Sequence, residues 1–283
     1  MGLNSSIESV RFEVKDPVYY LDENVTYAQT DAWFGHVTRD LKMDIIYPQS
    51  SDPQNKKKYP CIIWICGGAW MQMDKGAHLV YLSDLARRGF VTASVEYRLG
   101  HEAPFPGALI DIKGAVRFLR ARSLRYSIDT KKFGVAGESA GGYLAAMTAL
   151  TDGKEFEAGS HLDQSSAVQA ACPFYMPCDL QKLAREKSFK LPFFAGDVND
   201  DQYARYVNPV SYISEKPPPF LILHGDEDQT VPLDQGKMFF GALREKNADA
   251  RFIVLEGAGH ADGQFFQRPL WDIIAEFFKE KLI

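Results

Sequence analysis

The run "CIIWIC" (61–66) is apolar at every position, so a strand made from it needs cover on both faces. Short runs of the same kind recur: "LKMDIIY" (41–47), "FVTASVEY" (90–97), "KFGVAG" (132–137), "AVQAACPF" (167–174), "FLILHG" (220–225) and "RFIVLEG" (251–257). Longer stretches with helical spacing separate them. The clearest, from Gly107 to Arg122, sets Leu109, Ile112, Val116 and Leu119 three and four residues apart, with Lys113, Arg117 and Arg120 on the other, polar side. Further helices are predicted directly after Ser139, over Leu233 to Lys246, and over "QRPLWDIIAEFFKEKL" at the end of the chain. Strands alternating with helices imply right-handed crossovers. The fold class predicted is therefore α/β, with a mostly parallel, doubly wound sheet.

At 283 residues and 46% apolar content the chain can bury one large core, and a single domain over 1–283 is expected. Two regions depart from the alternation. Residues 1–40 are aromatic, charged and irregular, and read either as antiparallel edge strands or as a flap. Residues 152–219 read as short helices and loops, a small cap inserted between core strands, because long irregular insertions commonly serve as lids.

Charge and composition exclude several classes of partner. The formal net charge is −5, and the one basic run, Lys56, Lys57 and Lys58 between Pro53 and Pro60, reads as a solvated loop. Phosphate backbones need a larger positive field, so no nucleic acid partner is expected. The first residues carry no basic stretch leading into an apolar one, and no run approaches the ~20 apolar residues of a spanning helix. "MGLNSS" fits a loose N-myristoylation pattern, but nothing basic follows to supply a second anchor. A cytoplasmic protein without membrane attachment is the expectation. Cys61, Cys66, Cys172 and Cys178 match no zinc spacing and read as small buried hydrophobes, so neither metal nor cofactor is expected. The aromatic N-terminal segment offers a contact for a homodimer.

The chemistry concentrates in "GVAGESAGG". It joins a predicted strand to a predicted helix, and Gly137-Glu138-Ser139-Ala140-Gly141 is a G-x-S-x-G match in that setting. A turn this sharp strains the serine backbone and leaves room only for glycine on either side, while the hydroxyl projects from the sheet edge. The helix that starts there supplies unpaired N–H groups, so the Ala140 amide is placed to stabilise an oxyanion. A second donor would come from "WICGGAWMQ", where Gly67, Gly68 and Ala69 let the backbone come close to a substrate carbonyl.

A serine nucleophile needs a base held by an acid, and in this setting the chain order is serine, acid, histidine. Only His161, His224 and His260 follow Ser139. His224 ends a strand and reads as a packed or turn-stabilising residue, and His161 lies in the irregular insert. His260, in a glycine-rich loop after the last strand, is the base. For the acid, "LHGDEDQTVP" offers Asp226, Glu227 and Asp228, and spacing alone barely separates Asp226 from Asp228.

These segments together resemble the α/β-hydrolase superfamily, and within it the hormone-sensitive-lipase-like and acetyl- and feruloyl-esterase-like carboxylesterases. The matching stretches are "CGGAW", "SVEYRLGHEAPFPGALIDIKGAVRFLR", "GESAGG", "PPPFLILHGDEDQTVP" and "GAGHADG", in order from about Tyr59 onward. The resemblance implies an α/β-hydrolase fold in which Ser139 is the nucleophile, His260 the general base and Asp228 its orienting acid. It implies an oxyanion hole from the amides of Gly68, Ala69 and Ala140, with Trp70 lining the substrate pocket and Glu96 and Arg98 buttressing the site. The implied substrate is a small-molecule ester with a short acyl group, such as acetyl, or a hydroxycinnamoyl group, such as feruloyl. Trp33, Phe34, Trp70, Phe174, Tyr175, Phe193, Phe194 and Phe265 are the aromatic candidates for its pocket. Arylformamidases share a related G-G-x-W loop, and some α/β-hydrolase folds serve as receptors after losing a member of the Ser-His-Asp set.

Two positions depart from the family pattern. Cys66 stands where a histidine is usual, and Ala69 replaces a third glycine. Neither change removes a backbone N–H, so Cys66 reads as a residue that packs the loop. Cys66→Ser is accordingly expected to stay folded and to keep most of the wild-type rate of ester hydrolysis, measured as initial rates on the purified variant.

Overall fold

β3 (Tyr59–Ile65) is buried at all 7 of its positions, as its unbroken apolar run requires. Its side chains divide between two cores. Cys61, Ile63 and Ile65 join a cluster with Ile112, Leu119 and Phe239, while Ile62 and Trp64, with Cys66 just beyond, join one with Leu82, Trp271 and Phe278. A computed structural model describes residues 8–14, 16–32, 35–49, 57–152, 155–187 and 193–283. The "MGLNSS" stretch, Trp33, Phe34 and Lys56 lie outside the described residues.

The other strands are β1 (Val18–Ala32), β2 (Val37–Gln49), β4 (Val91–Val95), β5 (Ile128–Glu138), β6 (Ala170–Phe174), β7 (Phe220–Gly225) and β8 (Ala250–Leu255). They form one 8-stranded sheet in the order β1-β2-β4-β3-β5-β6-β7-β8. β2 pairs antiparallel with both β1 and β4, and all pairs from β4 to β8 are parallel. Of the N-terminal 40 residues, those in β1 thus lie at one sheet edge, and β2 begins at Val37, earlier than the apolar run from Leu41 suggests. β8, at the opposite edge, has only half-buried and exposed positions, because it is covered less completely than the inner strands.

Helices α2 (Gly107–Ala121), α3 (Ala140–Leu150) and α6 (Leu233–Glu245) contribute to the first core. α1 (Leu79–Arg87) and α7 (Arg268–Leu282) contribute to the second. The apolar runs do not announce α1, which is short; its signal is the spacing of Leu82, Leu85 and Ala86, the three residues it buries. α3 is buried along its whole length, which accounts for a helix built almost entirely from small and apolar residues. Between β6 and β7 lie α4 (Leu180–Lys187), α5 (Asp201–Val207) and a 3₁₀ turn, Pro209–Tyr212.

Lys113, Arg117 and Arg120 lie opposite the apolar stripe of α2, as their spacing predicts, and yet they are buried. Residues 155–168 lie over that face and are gripped by it. Lys113 Nζ donates to the Thr151 carbonyl and pairs with Glu157 at 2.9 Å. Arg117 pairs with Glu157 and donates to the carbonyls of Ala158 and Ser160. Arg120 donates to the carbonyls of Thr130, Ser165 and Ala167. Helical periodicity locates a polar face but does not reveal a later segment that covers it.

Glu157 is the single carboxylate facing Lys113 and Arg117 in these pairs. Burial pushes its carboxyl up, but the Ser166 hydroxyl, Lys113 and Arg117 outweigh that and hold it below the ordinary range. A depressed folded-state value stabilises the fold above the unfolded carboxyl's range and loses that contribution as pH falls through the folded value. Glu157→Gln should therefore lower stability by about 2–4 kcal/mol at neutral pH, by stranding two buried cations, and flatten the acid limb of the stability profile. Urea midpoints from pH 7 down to 3 would check both.

Candidate active site

The carboxyl ends of five strands deliver the groups singled out in the sequence to one edge of the sheet. Gly68, Ala69 and Trp70 follow β3, Ser139 follows β5, Tyr175 follows β6, Asp228 follows β7 and His260 follows β8. Loops at this edge of a doubly wound sheet are where such folds place their ligands.

Ser139 has φ 54° and ψ −119°, a strained conformation for a non-glycine residue. It is held there by hydrogen bonds from its own N–H to the Phe174 carbonyl, 3.0 Å, and from the Tyr143 N–H to its carbonyl, 3.0 Å. The turn closes only because its neighbours lack side chains. A Cβ on Gly137 would lie 2.6 Å from the Ile65 carbonyl oxygen, one on Gly141 would overlap that same oxygen, and one on Gly142 would lie 2.7 Å from the Phe174 oxygen.

His260 Nε2 lies 2.9 Å from Ser139 Oγ, and His260 Nδ1 lies 2.7 Å from Asp228 Oδ2. Because the carboxylate can only accept, Nδ1 carries the proton and Nε2 presents its lone pair to the serine hydroxyl. This resolves the choice between the two aspartates. Asp226 is exposed and accepts instead from the Gly257 N–H at 2.7 Å, bracing the loop that leads to His260. Asp228 is buried, and its other oxygen accepts from the N–H groups of Thr230 (2.9 Å) and Val231 (2.8 Å). Burial would raise its carboxyl pKa, but hydrogen bonds from His224, His260 and Val231 hold it far below the ordinary range. It is therefore ionised at neutral pH. His224 is fully buried, as expected of a packed residue, and its Nε2 donates to the Val231 carbonyl at 2.8 Å, so it fixes the Asp228 turn from behind.

The loop after β3 runs through three left-handed residues, Gly68 (φ 121°), Ala69 (φ 53°) and Trp70 (φ 59°). The Gly68 carbonyl accepts from Met71 and Gln72, and the Trp70 carbonyl accepts from Gly100 at 2.8 Å. Among the described residues the N–H groups of Gly68, Ala69 and Ala140 have no protein partner. They are free to donate to a ligand.

Trp70 is almost completely buried. Its ring stacks on Phe193 (4.7 Å between centroids, 7° between planes) and meets Tyr143 and Phe194 edge-on. Phe174, Tyr175 and Phe265 are fully buried in the other core, and Tyr175 lies edge-on to His260 at 4.7 Å. Arg98 binds both oxygens of Asp111, and Glu96 accepts from the Lys42 N–H, so both brace the frame behind the site, through separate contacts.

A family model described as BD-FAE matches residues 43–243. The chain belongs to the BD-FAE family. It is 30% identical over 243 residues to "Esterase LipQ" of Mycobacterium tuberculosis, covering 83% of this chain and 57% of that one. A solved structure titled "Truncated form of carbohydrate esterase from gut microbiota" is 26% identical with a TM-score of 0.79, covering 95% of this chain and 98% of that one. A chain titled "Bifunctional GH43-CE Bacteroides eggerthii" is 28% identical with a TM-score of 0.80, over 93% of this chain and 35% of that one. The chain spans about half the length of the curated relatives it matches. Its fold is the α/β-hydrolase fold.

In this BD-FAE member the loop around Cys66 is packed. Cys66 is buried and donates its thiol to the Asp74 carbonyl at 2.9 Å, and Tyr97 donates to the Cys66 carbonyl at 2.8 Å. Burial, reinforced by Glu138, pushes its thiol up to about 12, so it is no nucleophile at neutral pH. The sequence did not reveal what Glu138 and the Tyr175 hydroxyl do, because a side chain's direction beyond a strand end depends on the loops it meets. Gly141→Ala is expected to cost about 1–3 kcal/mol, because the end of β3 must move to admit the methyl group. Denaturant midpoints, with a structure of the variant to see whether Ser139 shifts, would check this.

Proposed function

We propose that this protein is a serine carboxylesterase acting on small esters with a short acyl group, acetyl foremost, or with a hydroxycinnamoyl group such as feruloyl. The observation that carries the reading is the unbroken relay from Asp228 through His260 to Ser139, at 2.7 and 2.9 Å. The names of the esterase relatives support the reaction class, and the carbohydrate esterase among the structural neighbours supports a carbohydrate-borne ester as one source of the acyl group.

In this mechanism the Ser139 oxygen attacks the ester carbonyl carbon as its proton passes to His260 Nε2, while the ionised Asp228 steadies the resulting imidazolium through Nδ1. The tetrahedral oxyanion accepts from the N–H groups of Gly68, Ala69 and Ala140. Its collapse breaks the bond to the alcohol oxygen, which takes the proton from Nε2 and leaves an acyl-serine. Water then gives a proton to the same nitrogen and attacks the acyl carbon, and the acid departs as Ser139 recovers its proton.

Trp70, held flat against Phe193, supplies a rigid aromatic wall for the pocket. The cap expected over 152–219 is narrower than that range, because β6 is a core strand within it and residues 155–168 lie on α2, so the capping role falls to the part that follows β6, to which Phe193 belongs. Among the described residues no helix is long and apolar enough to cross a membrane, and four cysteines remain as buried thiols. The buried free thiols support a reducing compartment, and a cytoplasmic location is proposed on that ground.

Initial rates on acetyl, butyryl, octanoyl, feruloyl and N-formyl aromatic substrates test the proposal. Hydrolysis of acetyl or feruloyl esters is expected, with Ser139→Ala and Asp228→Asn each lowering kcat by about 10⁴-fold. Turnover of the formyl amide alone would replace the esterase with an arylformamidase. Undiminished activity in Ser139→Ala would remove the nucleophile assignment.

A further inference from the structure

Glu138 occupies the open position between the first glycine and the serine of the G-x-S-x-G turn, a place where the motif makes no demand. Its carboxylate turns toward the loop after β3. Oε1 accepts from the Gly67 N–H at 2.7 Å, and Oε2 accepts from the Tyr175 hydroxyl at 3.2 Å. A Cβ on Gly67 would lie 2.8 Å from each of those oxygens and 2.7 Å from the Glu138 carbonyl. Gly67 is therefore glycine because the carboxylate and its backbone fill the space a side chain would need. Tyr175, buried and with its phenol pushed up by burial and by Glu138, remains a donor, and its ring packs edge-on against His260. One carboxylate thus touches the loop that precedes the oxyanion donors, adjoins the nucleophile in sequence, and reaches the ring beside the base.

We propose that Glu138 is a positioning residue that clamps the oxyanion loop to the nucleophile turn. Gly68 and Ala69 present N–H groups with no protein partner and follow Gly67 directly in the chain, in left-handed conformations. Such a segment would relax if Gly67 were released. The clamp on its N–H sets where the next two N–H groups lie relative to Ser139, and two donors aimed at an oxyanion lose most of their effect when they are displaced. Gln72, Met73, Asp74 and His78 line a cavity of about 340 Å³ on the same side of the loop, together with Glu138 itself. That location makes direct contact with substrate the competing role, and it is distinguishable by kinetics.

The proposal rests on the esterase reading, so two readouts are needed: turnover of the best ester, and the rate at which a fluorophosphonate labels Ser139. Glu138→Ala, with an unchanged melting temperature, is expected to lower kcat and the labelling rate together, by about 10²-fold or more, while KM stays within about threefold. Glu138→Gln should recover most of both rates, because the amide oxygen still accepts from Gly67 and the amide N–H can donate to Tyr175. Amide hydrogen exchange should show the Gly67 N–H losing protection in the alanine variant and regaining it in the glutamine variant. Tyr175→Phe should lower kcat less than Glu138→Ala does. An active wild type whose alanine variant keeps kcat, or changes only KM, would overturn the clamp and leave the esterase reading standing. If Glu138→Ala does not fold, a glutamine variant with Gly67 protected but kcat lost as deeply as in Ser139→Ala would overturn it as well. A wild type that is neither labelled nor active would overturn both readings.

Discussion

Three stretches of backbone meet at the carboxyl end of β5 more closely than side chains allow. The Ile65 carbonyl, the end of β6 and the start of α3 converge on Gly137, Gly141 and Gly142. That convergence forces Ser139 into its strained turn, lifts its hydroxyl off the sheet edge and leaves the first amides of α3 unpaired beneath it. The strain costs on the order of 1–3 kcal/mol, and the fully buried α3 and the cores on both sheet faces are what hold it in place.

Around that fixed point the other parts are adjusted by hydrogen bonds and not by packing alone. The Asp228 turn is tied by two backbone N–H groups in front and by His224 behind. The loop carrying His260 is tied back to the preceding one through Asp226 to Gly257, and through the Glu227 N–H to the Ala258 carbonyl. Ser139, Asp228 and His260 therefore sit on rigid scaffolding whose errors are limited to the reach of single hydrogen bonds.

Much of this was legible in the sequence, for physical reasons. Parallel strands buried on both faces must be apolar throughout, so "CIIWIC" and "FLILHG" betray themselves, and glycines around a serine between a strand and a helix mark a turn too tight to admit any bulk beside it. The order serine, acid, histidine followed from the succession of strands. What could not be read depends on tertiary encounters. Asp226 and Asp228 have the same chemistry two residues apart, and only the loops' geometry decides which one meets His260. α1 is too short for its periodicity to stand out, and the burial of the polar stripe of α2 cannot be read locally because the segment that covers it lies some 40 residues later. The direction of the Glu138 carboxylate likewise depends on a loop that follows a different strand.

The buried cations of α2 impose a particular kind of constraint on Thr151 and on residues 155–167. Lys113, Arg117 and Arg120 grip that stretch chiefly through main-chain carbonyls, those of Thr151, Ala158, Ser160, Ser165 and Ala167, and through one carboxylate, Glu157. Every residue type supplies a carbonyl, so the path of the chain is fixed while most of its side chains are not. A lineage could rewrite the outward face of this segment without touching the helix underneath. Divergence among relatives should accumulate there, leaving the three cations and Glu157 as islands in a drifting sequence.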